Sequence, residues 1–178
     1  MSKILEVNDL CKSFVVKKRL LGENDVVSAV NHVSLGLEEG EVLGIVGESG
    51  CGKSTVARLL LHSIRPDSGT MKLCGKEYDM AHATGQDVQT FRKNMQMVFQ
   101  NPYSSLNPKK HVFQILSDPM VYHGLISRRE AEAEVDRLLD LVGMPKRAKN
   151  RYPHEFSGGQ RQRIAIAKAL SLRPRLIV

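Results

Sequence analysis

"GESGCGKST", Gly47 to Thr55, is the stretch whose reading decides the fold. It matches G-x-x-x-x-G-K-[ST] in full. Gly47, Gly50 and Gly52 allow backbone conformations of positive φ, so that successive N–H groups can close on phosphate oxygens. A helix pattern from Ser54 adds the positive end of its dipole. Lys53 carries the charge that would neutralise β- and γ-phosphates, and the Ser54 hydroxyl is a hard oxygen ligand suited to Mg2+. Chance alone produces the pattern in about one in a hundred chains of this length. The flanks agree with it. Val42 to Val46 is a continuous apolar run of the kind expected for a buried central strand. After the loop, Val56, Leu59, Leu60 and Ile64 share one helix face until Pro66 breaks it. The plainer alternative is a tight strand-to-helix turn with an incidental lysine. Cys51 lies inside the loop, either as a small filler or as a reactive thiol beside a helix N-terminus.

Upstream, "KILEVNDL" and "SFVVKK" read as two short strands, and Arg19–Ser28 as a polar loop or hairpin tip. Two β-rich runs follow, joined by a turn at Glu39-Gly40. Downstream, "SGTMKLCGKEY" returns to strand character, Gln86–Asn94 reads as a polar helix and "MQMVFQ" as a short apolar strand. "NPYSSLNPKK" has two Asn-Pro pairs and is loop. Ser127 opens a helix with Glu130 three residues on, a capping box. Its apolar face is Ala131, Val135, Leu138, Leu139 and Val142, and Gly143 and Pro145 end it. Another helix opens near Ser157, and "RLIV" at the end reads as a buried strand. The order is α/β with an inserted helical subdomain.

The 178 residues suffice for one domain of ordinary size, with charged residues at 25% and no internal repeat. No run approaches the ~18 apolar residues of a membrane span. The N-terminus carries Glu6 and Asp9 and no apolar h-region, which argues against a secretory signal and for residence in the cytoplasm. Cys11, Cys51 and Cys74 are odd in number and lack metal-ligand spacing, as expected for reduced thiols. Charge is uneven. Residues 146–178 hold nine Lys or Arg and one acid, Glu155, hence +8, which leaves −1 of the total +7 for residues 1–145. A nucleic-acid surface would show this; so would a chain whose acidic continuation is absent, the reading preferred here. Arg161, Arg163 and Lys168 are expected on a solvated helix face.

"FSGGQRQRIAIAKAL", Phe156 to Leu170, narrows the class. It resembles the signature of ATP-binding-cassette (ABC) ATPases, with Phe156 where the family usually has Leu. Phe14 in "KSFVVKK" stands where the family places an aromatic that stacks on adenine, and Gln100 in "MVFQNP" matches its Q-loop glutamine. Without the resemblance, Phe14 reads as a core strand residue, Gln100 as a polar residue ending a strand, and Ser157 with Gln160 as a capping box. "GESGCGKST", "MQMVFQNPYSSLNP" and "RYPHEFSGGQRQRIAIAKAL" are similar to the oligopeptide/dipeptide branch of ABC importers, which includes nickel and glutathione importers.

The resemblance implies a P-loop NTPase core with an antiparallel β subdomain and an inserted α-helical subdomain, incomplete at the C-terminus. On that reading residues 1–99 are the β subdomain and P-loop core, 100–165 the Q-loop, helical subdomain and signature, and 166–178 the return to the core. ATP and Mg2+ are the implied cofactors. Gly47, Glu48, Ser49, Gly50, Cys51, Gly52, Lys53, Ser54 and Thr55 would hold the phosphates and Phe14 the base. Lys53 and Gln100 would serve catalysis, and Ser54 and Gln100 the metal. Ser157, Gly158, Gly159 and Gln160 would cap, in trans, the ATP of a partner cassette packed head to tail. The implied partners are a second ATPase subunit, identical or paralogous, membrane permease subunits and, indirectly, an extracytoplasmic binding protein, with no nucleic acid. The implied place is the cytoplasmic face of the membrane, peripherally bound. In the family an Asp that helps hold Mg2+ and a Glu that polarises the attacking water follow "RLIV". The chain given stops at Val178, so it is expected to bind nucleotide weakly and not to turn it over. The cargo is not written in these residues. Two other functions stay open: a DNA-repair or chromosome ATPase and a soluble tandem-cassette translation factor. The first needs long coiled-coil arms, for which the roughly 56 residues between Gln100 and Ser157 leave little room.

Overall fold

Buried apolar residues such as Leu5, Val7, Leu10, Met71 and Leu73, with a tight turn, build the first sheet. In the computed structural model, which describes residues 3–17, 25–101 and 105–178, strand β1 (Lys3–Lys17) pairs antiparallel with β2 (Asp25–Glu38) on one side. On its other side it pairs antiparallel with β3 (Ser68–Leu73), and β4 (Lys76–Asp79) closes the order β2-β1-β3-β4. The β3–β4 turn places Cys74 at φ 50° and Gly75 at φ 85°. Two successive left-handed residues make the hairpin turn whose twist matches that of strands.

The expected two short strands at the start are one strand, β1. It accommodates the polar interruption at Asn8–Asp9 by register irregularities rather than by a break. Of the expected loop Arg19–Ser28, residues 19–24 lie outside the described residues, and Asp25–Ser28 belong to β2. The Glu39-Gly40 turn is present, with Glu41 N–H donating to the Glu38 carbonyl at 3.2 Å.

Helix α1 (Lys53–Leu60) buries Val56, Leu59 and Leu60 as its apolar spacing requires, but stops earlier than expected. Ile64 lies past its end, beyond a turn in which His62 takes φ 50°. Helix α2 (Gly85–Asn94) matches the expected polar helix and buries Phe91, whose ring meets Tyr78 edge-on at 4.8 Å. Val42–Val46 departs most from expectation. No strand among the described residues pairs with it, and Val42 and Val46 are 93% and 95% exposed. A strand needs a neighbour for its N–H and C=O groups, so apolarity alone does not make one.

The chain divides into two compact units, residues 1–92 and 93–178. In the second, β5 (Met95–Gln96) pairs in parallel with β6 (Leu176–Ile177), and Val98 N–H extends the ladder to the Val178 carbonyl at 2.9 Å. β6 is where the strand "RLIV" was expected. It is not buried, however: Ile177 is 45% exposed, because a two-stranded ladder leaves both faces partly open.

Helix α3 (Val112–Tyr122) was not separable in sequence from the helical section around it, since Pro119 lies within it. Helix α4 (Ala131–Leu141) starts four residues after its expected opening at Ser127, which stands in a turn. The reciprocal bond of the expected box still forms, with Ser127 N–H donating to Glu130 Oε2 at 2.7 Å. Helix α5 is Gly158–Ser171. Leu116, Met120, Leu138, Leu139, Phe156 and Ile164 form the centre of this unit's core. Leu138→Ala is expected to destabilise the fold by about 2–5 kcal/mol, the cost of a core cavity. Urea unfolding measures it, and a loss below about 1 kcal/mol would contradict the packing described.

Candidate nucleotide-binding site

Gly50 and Gly52 of the loop take φ 85° and 99°. At Gly52 the requirement is also steric: a Cβ there would lie 2.4 Å from the carbonyl oxygen of Ala29 on β2. Gly52 is the N-cap of α1, so no side chain caps that helix start. Its first N–H donors are left for another partner. The Lys53 ammonium folds back over its own loop, donating to the carbonyls of Gly47 (2.7 Å) and Glu48 (2.5 Å), with Cys51 Sγ at 3.4 Å. Gly47 through Cys51 and Ser54 are exposed, and Gly52, Lys53 and Thr55 half-buried. Uncapped amides, a positive dipole end, a movable cation and an exposed hydroxyl form an arrangement able to receive a polyphosphate and its metal. The donor set therefore fits the implied ATP and Mg2+ chemically.

Phe14 lies in the same unit, on β1 opposite Val27, and is 38% exposed rather than in the core. Lys12 Nζ stands 5.7 Å from the ring centroid. Gln100 lies in the second unit, exposed just past β5.

Ser157–Gln160 also lie in the second unit. The Ser157 hydroxyl oxygen accepts Gln160 N–H at 3.3 Å, and Ser157 N–H donates to Gln160 Oε1 at 3.0 Å. The expected capping box is therefore real, and the Ser157 O–H keeps its own donor. All four residues are exposed, and a Cβ on Gly158 or Gly159 would meet nothing within 4 Å. Nothing in the packing of the described residues demands glycine there.

The turn leading into α5 is pinned twice. Glu155 accepts Tyr152 N–H at 2.6 Å and Arg151 Nε at 3.1 Å, while Arg151 lies 4.8 Å over the buried Phe156 ring. The Tyr152 amide first, then Arg151, hold the Glu155 carboxyl below its usual range.

The basic residues of α5 are not a uniformly solvated face. Arg161 is buried, with Nη1 donating to the Pro153 carbonyl at 3.4 Å, and half-buried Lys168 donates to the Ser105 carbonyl at 2.7 Å. Burial pushes the Lys168 ammonium below its usual value. Both stems pack along the core while their heads find backbone oxygens. Other bases of this third pair with acids of the same unit: Lys149 with Glu132 and Asp136, both at 2.8 Å, and Arg173 with Glu134 at 3.2 Å. Part of this third's positive charge is thus held in local ion pairs. Sequence reading passed over the Lys12–Asp67 ion pair (2.6 Å) beside Phe14, for which a separation of 55 residues leaves no local signal.

Residues 30–178 match the model of the family described as ABC transporter. The chain belongs to the ABC transporter family. Among curated relatives, it is 42% identical over 178 residues to the di/tripeptide transport ATP-binding protein DppF of Pseudomonas aeruginosa, covering 100% of this chain and 54% of that protein. It is 44% identical over 180 residues to the oligopeptide transport ATP-binding protein AppF of Bacillus subtilis, covering 98% of this chain and 53% of that protein. This ABC chain thus spans about half the length of the curated relatives it matches.

Among solved structures, the ABC cassette MJ0796 in a dimeric, post-hydrolysis state bound to ADP and Pi superposes with TM-score 0.81 at 26% identity, over 97% of this chain and 72% of that one. CbiO1 of Clostridium perfringens, part of the transporter complex CbiONQ, gives 0.79 at 26% identity, over 99% of this chain and 64% of that one. The α/β ABC fold, with an antiparallel sheet and a helical section, is the one expected from sequence. Among the described residues, no helix is long and apolar enough to cross a membrane.

A depressed carboxyl pKa contributes stability above the unfolded value and loses it as pH falls through the folded one. The melting-temperature advantage of the natural chain over Glu155→Gln is therefore expected to be full at pH 7. It should vanish only as pH drops below the usual 4.5 of a glutamate. An advantage already gone at pH 6 would contradict the contacts described at Glu155.

Proposed function

We propose that this chain is the nucleotide-binding portion of an ATPase subunit that powers an ABC importer of oligopeptides or dipeptides. The observation that carries the proposal is the glycine loop at 47–52, running into a helix start that no side chain caps, with Lys53 poised over it. The relatives' names supply the cargo class, and a full relative has about as many residues again as this chain.

In this reading the amides from Gly50 to Thr55 donate to the β- and γ-phosphates of ATP. Lys53 exchanges the Gly47 and Glu48 carbonyls for phosphate oxygens, a charge-assisted and therefore stronger partner. Ser54 would hold Mg2+, which supplies neutralisation of the phosphate charge. Phe14 offers its exposed face to adenine. Lys53 then serves phosphoryl transfer by positioning and charge stabilisation. No residue of 1–178 is assigned to orienting the attacking water. Hydrolysis is proposed for the whole subunit.

The loop leaves one side of the γ-phosphate without donors. We assign that side to Ser157, Gly158, Gly159 and Gln160 of a second cassette, identical or paralogous, packed head to tail. The open space around both glycines and the free Ser157 O–H support this, as does the dimeric ADP- and Pi-bound state named for MJ0796. The subunit would sit on the cytoplasmic face of the membrane against permease subunits, with an extracytoplasmic binding protein delivering cargo to those permeases. The conversion of a phosphate-site change into movement would run through Gln100, which leads from β5 into the helical section.

Lys53→Ala is expected to weaken Mg-ATP binding roughly 10- to 100-fold, the worth of a hydrogen bond to a charged group. Titration calorimetry measures it, and unchanged affinity would overturn the reading. Alkylation of Cys51 should block nucleotide binding, and ATP should slow that alkylation. Equal labelling with and without ATP would place the phosphates elsewhere.

A further inference from the structure

β1 has two neighbours only as far as Cys11. The last pair of the β1–β3 ladder is Cys11 with Ser68, and from Lys12 onward β1 runs against β2 alone. A two-stranded ribbon is marginal by itself, yet Phe14 stands on this ribbon. Asp67, the residue just before β3, takes over where the ladder ends. Its N–H donates to the Cys11 carbonyl at 3.0 Å. Its Oδ2 accepts Ser13 N–H at 2.7 Å, and its Oδ1 accepts Lys12 Nζ at 2.6 Å.

One residue thus grips three successive positions immediately before Phe14. Lys12, whose side chain is only 16% exposed, brings the same ammonium to 5.7 Å from the Phe14 ring centroid, within reach of a cation–π contact. The bond from Lys12, then that from Ser13 N–H, hold the Asp67 carboxyl below its usual range. It is therefore charged at neutral pH.

An ion pair with a half-exposed partner adds little stability by itself. Its consequence here is directional. With Ser13 N–H fixed, the strand pleat fixes the face to which the next side chain points, and that side chain is Phe14.

We propose that Asp67 is a positioning residue for the nucleotide base: through Ser13 and Lys12 it holds the Phe14 ring where adenine stacks, and so controls the base-dependent part of ATP affinity. This rests on the reading of Phe14 as the base platform. It predicts an effect that depends on the base and leaves the triphosphate untouched.

The test is titration calorimetry of the full chain with Mg-ATP and with Mg-tripolyphosphate, which has the phosphates and no base. Asp67→Ala is expected to weaken ATP binding about 3- to 10-fold, a share of one base–aromatic stack, and to leave tripolyphosphate unchanged. Asp67→Asn, which keeps one acceptor oxygen and removes the charge, should restore part of the loss. Asp67→Ala combined with Phe14→Ala should bind ATP no more weakly than Phe14→Ala alone, because both act on one contact.

Equal weakening of both ligands by Asp67→Ala would mean that Asp67 only supports the fold, and would overturn the proposal. So would full additivity in the double variant. If Phe14→Ala weakens ATP and Asp67→Ala does not, the proposal fails while the base platform stands. If Phe14→Ala has no effect, the platform itself fails and the proposal with it.

Discussion

The closeness of Gly52 to the Ala29 carbonyl is the constraint on which the rest of the first unit turns. A Cβ at that position would lie 2.4 Å from the oxygen, and the residue sits at φ 99°. Only glycine satisfies both conditions at low cost. Because the residue there is glycine, helix α1 begins without a side-chain cap, and donors that most helices satisfy internally stay available. Steric packing against β2 and the capacity to receive an anion are therefore one feature seen from two sides.

The two helix starts that matter here solve the same problem in opposite ways. α1 has no cap and holds a lysine over its loop carbonyls. α5 closes its own start with Ser157 and Gln160, yet leaves two glycines with empty space above them. Under the proposed function, the first would surround a polyanion, and the second would present a close-approach surface to one. Behind α5, the buried Arg161 and Phe156 and the Glu155–Arg151 turn keep that surface in a single orientation. The charge of this third serves packing and local pairing more than display.

What could be read from sequence followed the range of the interactions. The loop, the capping box at Ser157, the apolar face of α4 and the turn at Glu39-Gly40 are set by residues within a few positions of one another, and they stand in the structure at or near the expected places, whereas at Ser127 only one bond of the expected box forms. Features decided by distant partners were not legible. Val42–Val46 has the composition of a central strand, but strand formation depends on a neighbour. Lys168 on a helix reads as solvated until the Ser105 carbonyl, 63 residues away in sequence, is brought to it. α1 was expected to reach Ile64, whereas a left-handed residue at His62 follows its end. The left-handed turns of the loop at Gly50 and Gly52 were readable because local glycines set them. The bonds of Asp67 to Lys12 and Ser13 were hidden, because they are made by chain segments that meet only on folding.

The central claim is that the backbone amides around residues 47–55 enclose the phosphates of ATP. Amide chemical shifts of the isotopically labelled chain, followed as Mg-ATP is added, test it most directly. The account predicts the largest displacements at Gly50, Gly52, Lys53 and Ser54, reproduced by Mg-tripolyphosphate. Displacements confined to other residues, with these four unmoved at saturating ATP, would contradict it.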